Sequence, residues 1–314
     1  MKKLINKTAT CLLLALVLFA CKQKTSQTTV NLQKENSANQ LQKILINGDS
    51  IHYLDIGEGE PVVFVHGNIG DYRTWSGQID TFATKHRVIA YSRRYAYPNN
   101  SVIKDSSDLT VRPHANDLVE LIRKLDLGPV HLVGHSWGAY TSIKATIDHP
   151  ELVKSLVLGE PPIRPLLNNI KGGDTISKNL TEKAIKPAAK AFRNNNPTQG
   201  VSLFIGGVMG DSLLFSKAPE HVQTKWLQNS SELGAQLNSE SWLDIPPKEI
   251  ESIEIPVLVL KGEVSPLFLT KIADEIDRLI PNSTLYVVPG ASHGLQGENR
   301  KDFNQTVLNF ISNN

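Results

Sequence analysis

Short apolar runs alternate with apolar residues at helical spacing along most of the chain. Two runs joined by Asn47-Gly48-Asp49 predict a β-hairpin, because Asn-Gly pairs suit tight turns between strands. Continuous apolar runs predict buried strands at Pro61–Val65, Arg87–Tyr91, Val130–Val133, Leu152–Leu158, Val257–Leu260 and Leu285–Val288. Helical periodicity predicts helices at Val111–Leu125, Tyr140–Asp148, Pro266–Ile280 and Asn299–Ile311. This alternation predicts an α/β fold with a mostly parallel, doubly wound sheet and an antiparallel edge.

The alternation of predicted strands and helices stops in residues 162–248, which contain helical segments and Gly or Asn turns. Because this stretch lies between two core strands, we expect an inserted helical cap on a core made of residues 41–161 and 249–314. A separate helical domain without a role in function is the alternative. The large apolar residues of the stretch either pack it onto the core or line an acyl pocket. They are Trp226, Leu227, Trp242 and Leu243.

The N-terminus has the layout of a secretory signal peptide. Three lysines in the first seven residues precede an apolar run that is too short to span a bilayer comfortably. The junction Leu18-Phe19-Ala20-Cys21 resembles a bacterial lipobox, which implies removal of residues 1–20 and lipid attachment at Cys21. The expected location is the bacterial cell envelope, facing the periplasm or the cell surface. A plain signal peptide with an incidental cysteine is the alternative, and residues 21–40 are a polar tether.

Composition narrows the range of partners and cofactors. The chain has 33 Lys and Arg against 31 Asp and Glu, a net charge of +2, so we do not expect it to bind nucleic acid. Its two cysteines, Cys11 and Cys21, both lie near the N-terminus, which excludes a disulfide framework or a cysteine zinc site. The histidines are scattered, and we expect neither a metal nor a cofactor. The expected partners are a small-molecule substrate and, through the lipid anchor, a membrane.

The segment Gly134-His135-Ser136-Trp137-Gly138 matches the Gly-x-Ser-x-Gly nucleophile elbow, with a predicted strand before it and a helix after it. This context predicts Ser136 as a nucleophile. A serine hydroxyl needs a base to remove its proton. His293 follows the last predicted strand and is the expected base, and His135 is expected to point away from the site.

An acyl transfer also needs donors for the developing oxyanion. The backbone N–H of Trp137, the residue after the nucleophile, is one expected donor. The loop His66-Gly67-Asn68-Ile69-Gly70 follows a buried strand, and the N–H of Asn68 is the second expected donor. A simple glycine-rich turn is the alternative interpretation of this loop.

Residues from about 44 to 311 resemble the α/β-hydrolase superfamily, in the branch with a helical cap. The resemblance rests on His66-Gly67, on the elbow, and on the Gly-Ala-Ser-His motif that ends at His293, in that order. Many members have Asp-Arg-Gly where this chain has Ser92-Arg93-Arg94. The resemblance implies a serine hydrolase with a catalytic triad and no cofactor.

The acid of that triad departs from the common pattern. Relatives often end the strand at Val257–Leu260 with Gly-Glu-x-Asp, whereas this chain has Gly262-Glu263-Val264-Ser265. A serine cannot supply the charge that stabilises the imidazolium. In some members the acid follows the earlier strand, which favours Glu160 here. Glu263 is the alternative acid, and a site without an acid is the third possibility.

The expected reaction is hydrolysis through an acyl-enzyme, on carboxylic esters of small or medium size. Amide, lactone and carbon–carbon bond hydrolysis remain open, since a fold does not select among them. Ser136 argues against epoxide hydrolases and haloalkane dehalogenases, which use aspartate at the elbow. The rival hypothesis is a catalytically weak or inactive ligand-binding lipoprotein on the same fold.

Overall fold

The computed structural model describes residues 40–239 and 245–314. Eight strands of this part form one sheet: β1 (Gln42–Ile46), β2 (Asp49–Ile56), β3 (Pro61–Val65), β4 (Arg87–Tyr91), β5 (Val130–His135), β6 (Val153–Gly159), β7 (Val257–Gly262) and β8 (Ser283–Val288). Their spatial order is β1-β2-β4-β3-β5-β6-β7-β8. β2 pairs antiparallel with β1 and β4, and every pairing from β4 to β8 is parallel. The predicted mostly parallel sheet with an antiparallel hairpin at its edge is confirmed.

The helices of the described residues are α1 (Ile79–Phe82), α2 (Val111–Lys124), α3 (Trp137–Asp148), α4 (Gly173–Leu180), α5 (Lys186–Arg193), α6 (Pro197–Met209), α7 (Leu214–Lys217), α8 (Glu220–Gln228), α9 (Ser230–Leu237), α10 (Pro247–Glu251), α11 (Leu267–Leu279), α12 (Leu295–Glu298) and α13 (Arg300–Ser312). Helix α3 begins three residues before the predicted start. The prediction missed this first turn because it contains Gly138, which is unfavourable within helices. None of these helices combines the length and the apolar character needed to cross a bilayer.

Alternate residues of the strands from β2 to β8 enter two different apolar clusters. Val63 and Val65 of β3 belong to one cluster, while Val62 and Phe64 belong to the other. The first cluster includes buried residues of α2, α3 and α11, and the second includes buried residues of α1 and α13. Since successive side chains of a strand point to opposite faces, helices cover both faces of the sheet. Burial on both faces explains why the strands are continuous apolar runs rather than alternating ones.

Helices α4 to α10 lie between β6 and β7 in the chain, and we name residues 163–239 with 245–251 the helical insertion. Trp226 and Leu227 pack against an apolar cluster of α6 and α7, within the insertion itself, and neither packing onto the core nor lining of an acyl pocket follows from this contact. Trp242 and Leu243 lie outside the described residues, as do Cys21 and residues 1–39. Ile69, in the loop after β3, packs against two apolar clusters of the insertion. The insertion therefore contacts this loop. That residues 162–248 act as a helical cap on the core stays a prediction.

Candidate active site

Ser136 stands at the sharp turn between β5 and α3. Its backbone angles are φ 54° and ψ −125°, a strained conformation for a non-glycine residue. The Ser136 N–H donates to the carbonyl of Gly159 at 2.7 Å, which fastens the turn to the end of β6. Gly138 allows the start of α3 to approach the end of β3, since a Cβ there would overlap the carbonyl oxygen of Val65. These constraints hold Ser136 at the carboxyl edge of the sheet.

The loop after β3 lies directly against this serine. A Cβ built on Gly67 would lie 2.8 Å from the Ser136 Cβ and 3.3 Å from its Oγ, so a larger residue has no room there. No acceptor within residues 40–239 and 245–314 receives the backbone N–H of Asn68, the next residue. Trp137 is the first residue of α3 and follows Ser136 directly. The structure therefore places both predicted oxyanion donors in the segments that flank Ser136.

His293 and Glu160 meet at the carboxyl edge of the sheet. The Glu160 Oε2 lies 2.6 Å from His293 Nδ1, and the Glu160 carboxylate is fully buried. Its Oε1 accepts from the N–H of Gly262 at 2.9 Å, and its Oε2 also accepts from the Ser265 hydroxyl at 2.8 Å. The carboxylate is thus held by three donors. When a neutral His293 ring donates its Nδ1–H to Glu160, its Nε2 carries no proton and can accept one.

Glu263, the alternative acid, lies elsewhere. Its Oε2 accepts from the backbone N–H of Gly290 at 2.7 Å, on an exposed part of the loop after β8. Glu263 therefore holds the backbone of the loop that presents His293 and does not contact the imidazole ring. Ser265 contacts Glu160 and so belongs to the same hydrogen-bond group as the ring.

His135 has a role that sequence reasoning missed. Its Nε2 donates to the backbone carbonyl of His293 at 2.7 Å, and the two imidazole rings lie 4.6 Å apart between centroids. Burial, reinforced by the nearby His293 ring, lowers the pKa of His135 to about 3, so it is neutral at physiological pH. The turn between β5 and α3 thus holds the loop that carries His293. The expectation that this side chain points away from the site was wrong, because β5 extends through His135 and directs it toward the neighbouring loop.

Other histidines are engaged in the interior. His66 Nε2 accepts from the backbone N–H of Arg93 at 2.9 Å, and His131 Nδ1 lies 2.7 Å from the Ser155 hydroxyl. The part of the chain that the structure describes contains no group of three or more His, Cys, Asp or Glu side chains suited to a metal ion. The chemistry available at the site is that of a serine, an imidazole, a carboxylate and backbone amides.

Comparison with known proteins identifies the fold. A family profile described as the alpha/beta hydrolase fold matches residues 60–180. The crystal structure of a bromoperoxidase from Bacillus anthracis superposes with a TM-score of 0.70 at 22% identity, covering 87% of this chain and 100% of that one. The protein has the α/β-hydrolase fold. The residues matched by the profile include β3, the elbow and Glu160.

Curated relatives cover most of this α/β-hydrolase fold. The putative non-heme chloroperoxidase of a Synechocystis species is 27% identical over 83% of this chain and 94% of its own length. The 2-hydroxy-6-oxo-6-(2'-aminophenyl)hexa-2,4-dienoic acid hydrolase of Metapseudomonas resinovorans is 24% identical over 89% of this chain and 93% of its own length. These similarities support a hydrolase on this fold.

Proposed function

We propose that the protein is a serine hydrolase that acts through an acyl-enzyme, on carboxylic esters of small or medium size. The observation that supports this most directly is the buried carboxylate of Glu160, 2.6 Å from His293 Nδ1 and fixed by two further donors. Ser265, which stands where relatives have aspartate, favours an inactive, ligand-binding protein only weakly, because the Glu160 carboxylate contacts the His293 ring.

The proposed reaction begins when Ser136 Oγ attacks the acyl carbon while His293 Nε2 takes its proton. The tetrahedral oxyanion receives hydrogen bonds from the N–H groups of Asn68 and Trp137. Glu160 stabilises the imidazolium, which then protonates the departing alkoxide. A water molecule then attacks the acyl-enzyme while His293 takes its proton. His293 returns that proton to Ser136 Oγ, and the carboxylic acid is released.

A fluorophosphonate probe tests this proposal, because it reacts covalently with an activated serine. We expect the wild type to be labelled and to hydrolyse p-nitrophenyl esters. Ser136→Ala should lose labelling and nearly all turnover, about 10⁴- to 10⁶-fold. Ser142→Ala is a matched control on the same helix, since its hydroxyl donates to the carbonyl of Gly138 at 2.9 Å, and it should keep both properties. A wild type that is neither labelled nor active would favour the ligand-binding alternative.

One observation favours acidic substrates within this class. Lys225 lies one turn before Asn229 on α8, and Asn229 Nδ2 donates to Asp71 beside the loop after β3 at 2.7 Å. Burial lowers the pKa of the Lys225 ammonium. Asp71 opposes this shift from nearby, but its carboxylate is bound by Arg73 and Asn229, and the described ranges contain no ion pair that includes Lys225. A carboxylate on the substrate would supply the missing partner, and the Metapseudomonas relative is by name a hydrolase of a carboxylic acid.

We further propose that the protein is lipid-anchored in the bacterial cell envelope through Cys21. The proposal rests on the basic N-terminus, the short apolar run and the lipobox-like junction. Mass spectrometry of the mature N-terminus should find Cys21 with attached acyl chains and without residues 1–20. Cys21→Ser should leave the precursor uncleaved or release a soluble protein. A mature wild type that is soluble and starts elsewhere would contradict this anchor.

A further inference from the structure

A buried charged network joins the helical insertion to the loop after β3. Arg93, which follows β4, is 1% exposed, and Glu232 on α9 is 4% exposed. The guanidinium binds the carboxylate through two parallel contacts, Nη1 to Oε1 at 2.9 Å and Nη2 to Oε2 at 3.0 Å. His114 Nε2 adds a third contact to Glu232 Oε1 at 2.8 Å. Burying such charges is costly, and stability alone is a weak explanation for a buried ion pair.

The same guanidinium binds three consecutive residues of the loop. Its Nε donates to the carbonyl of His66 at 3.1 Å, and its Nη2 donates to the carbonyl of Gly67 at 3.4 Å and to Asn68 Oδ1 at 3.1 Å. The backbone N–H of Arg93 also donates to His66 Nε2 at 2.9 Å. Arg93 therefore fixes the loop at the point where it passes the nucleophile.

The insertion holds the other end of the Asn68 side chain. Asn68 Nδ2 donates to Gln236 Oε1 at 2.8 Å, and Gln236 is 3% exposed. Gln236 lies one turn after Glu232 on α9, and its Nε2 donates to Glu232 Oε1 at 3.3 Å. Both ends of the Asn68 amide are thus bound, which fixes the orientation of the residue. The next residue, Ile69, has a left-handed φ of 52° and packs against the insertion.

We propose that Arg93, Glu232 and Gln236 are positioning residues that hold the Asn68 N–H where it donates a hydrogen bond to the oxyanion. The inference rests on the proposed function, since it concerns the oxyanion donor of that reaction. Donors at such a site act because they are already in place when charge develops, so a displaced donor loses its effect on the transition state. The helical insertion thereby contributes to the rate of the chemical step without contacting the reacting atoms.

Gln236→Leu tests the inference, because it removes the acceptor of Asn68 Nδ2 and leaves the Arg93–Glu232 pair. The assay measures kcat and KM for p-nitrophenyl butyrate, and Ki for phenylboronic acid, which forms a tetrahedral anion on an active serine. We expect kcat to fall about tenfold and Ki to rise by the same factor, with KM within about twofold. Arg93→Lys keeps a cation beside Glu232 but loses the planar guanidinium. We expect its kcat to fall further than that of Gln236→Leu, with an equal rise in Ki and a nearly unchanged KM.

Asn238→Leu is the matched control. Asn238 lies just after α9, and its amide binds the carbonyl of Gly234 at 2.7 Å and Arg193 Nη1 at 2.6 Å, both within the insertion. This variant should lower the thermal midpoint without changing kcat or Ki. Unchanged kcat and Ki in folded Gln236→Leu and Arg93→Lys, or a lower kcat with unchanged Ki, would overturn the inference alone. A wild type without esterase activity or fluorophosphonate labelling would overturn the proposed function as well.

Discussion

The substitution Glu160→Gln tests how the base is oriented, because it keeps the shape of the side chain and removes its charge. Glu160 accepts from Gly262 through Oε1 and from His293 through Oε2, at 2.9 and 2.6 Å. A glutamine that keeps its oxygen toward Gly262 turns its NH₂ toward His293 Nδ1. The opposite orientation turns the NH₂ toward the N–H of Gly262. In each orientation the glutamine NH₂ faces another N–H donor, that of His293 Nδ1 or that of Gly262, and position 160 is fully buried.

The first orientation changes the reaction most. His293 must then accept at Nδ1 and carry its proton on Nε2, where it cannot take the proton of Ser136. Loss of a triad acid by amide substitution lowers kcat by about 10⁴ in a well-studied triad, and we expect about 10³ to 10⁴ here. That loss corresponds to about 4–5.5 kcal/mol of transition-state stabilisation. Esterase kcat/KM, with the thermal midpoint as a folding check, measures it.

Glu263→Gln is the matched control, because the amide oxygen can still accept from the Gly290 N–H. It should change kcat/KM by no more than about threefold. Ser265→Asp in the Glu160→Gln background should recover part of the activity, since the Ser265 hydroxyl lies 2.8 Å from Glu160 Oε2 and a carboxylate there can reach His293. Near-normal turnover of Glu160→Gln, together with loss of turnover in Glu263→Gln, would refute this triad.

Two further predictions follow from buried or unpaired charges. Burial lowers the pKa of His66 to about 3, so the unfolded chain takes up a proton below about pH 6.5 that the folded protein does not. The free energy of unfolding should therefore fall as the pH drops below about 6.5, and His66 should account for a loss of about 2 kcal/mol at pH 5. Equal urea midpoints at pH 7 and pH 5 would contradict this prediction. Lys225→Met should reduce kcat/KM for monoesters of dicarboxylic acids relative to neutral esters of equal length; an unchanged ratio would remove Lys225 from substrate recognition.

The sequence was sufficient for the sheet, because burial on both faces produces long apolar runs with clear ends. Pro61–Val65 and Arg87–Tyr91 are strands over the residues predicted. The encounter of Glu160 with His293 could be anticipated only through a resemblance, since it joins residues 133 positions apart. The contacts of Arg93 and Glu232 could not be anticipated. They join residues 139 positions apart, and the apolar residues Leu233 and Leu237 of the same helix do not indicate that the charged Glu232 is buried.

Three residues with left-handed backbone angles mark the candidate site: Ile69, Ser136 and Glu160, with φ of 52°, 54° and 47°. Each follows a different strand of the adjacent set β3, β5 and β6. A non-glycine residue in this region costs about 1–3 kcal/mol, so it persists only where its surroundings fix it. Ser136 is fixed by Gly159, Glu160 by three donors to its carboxylate, and Ile69 by packing against the insertion. Two of these constraints lie within the core, whereas the third comes from the insertion. Arg93, which lies in the core, also binds the loop after β3. Displacement of the insertion would therefore remove the packing of Ile69 and the contacts of Glu232 and Gln236 from this loop, and would leave the constraints on Ser136 and Glu160 in place.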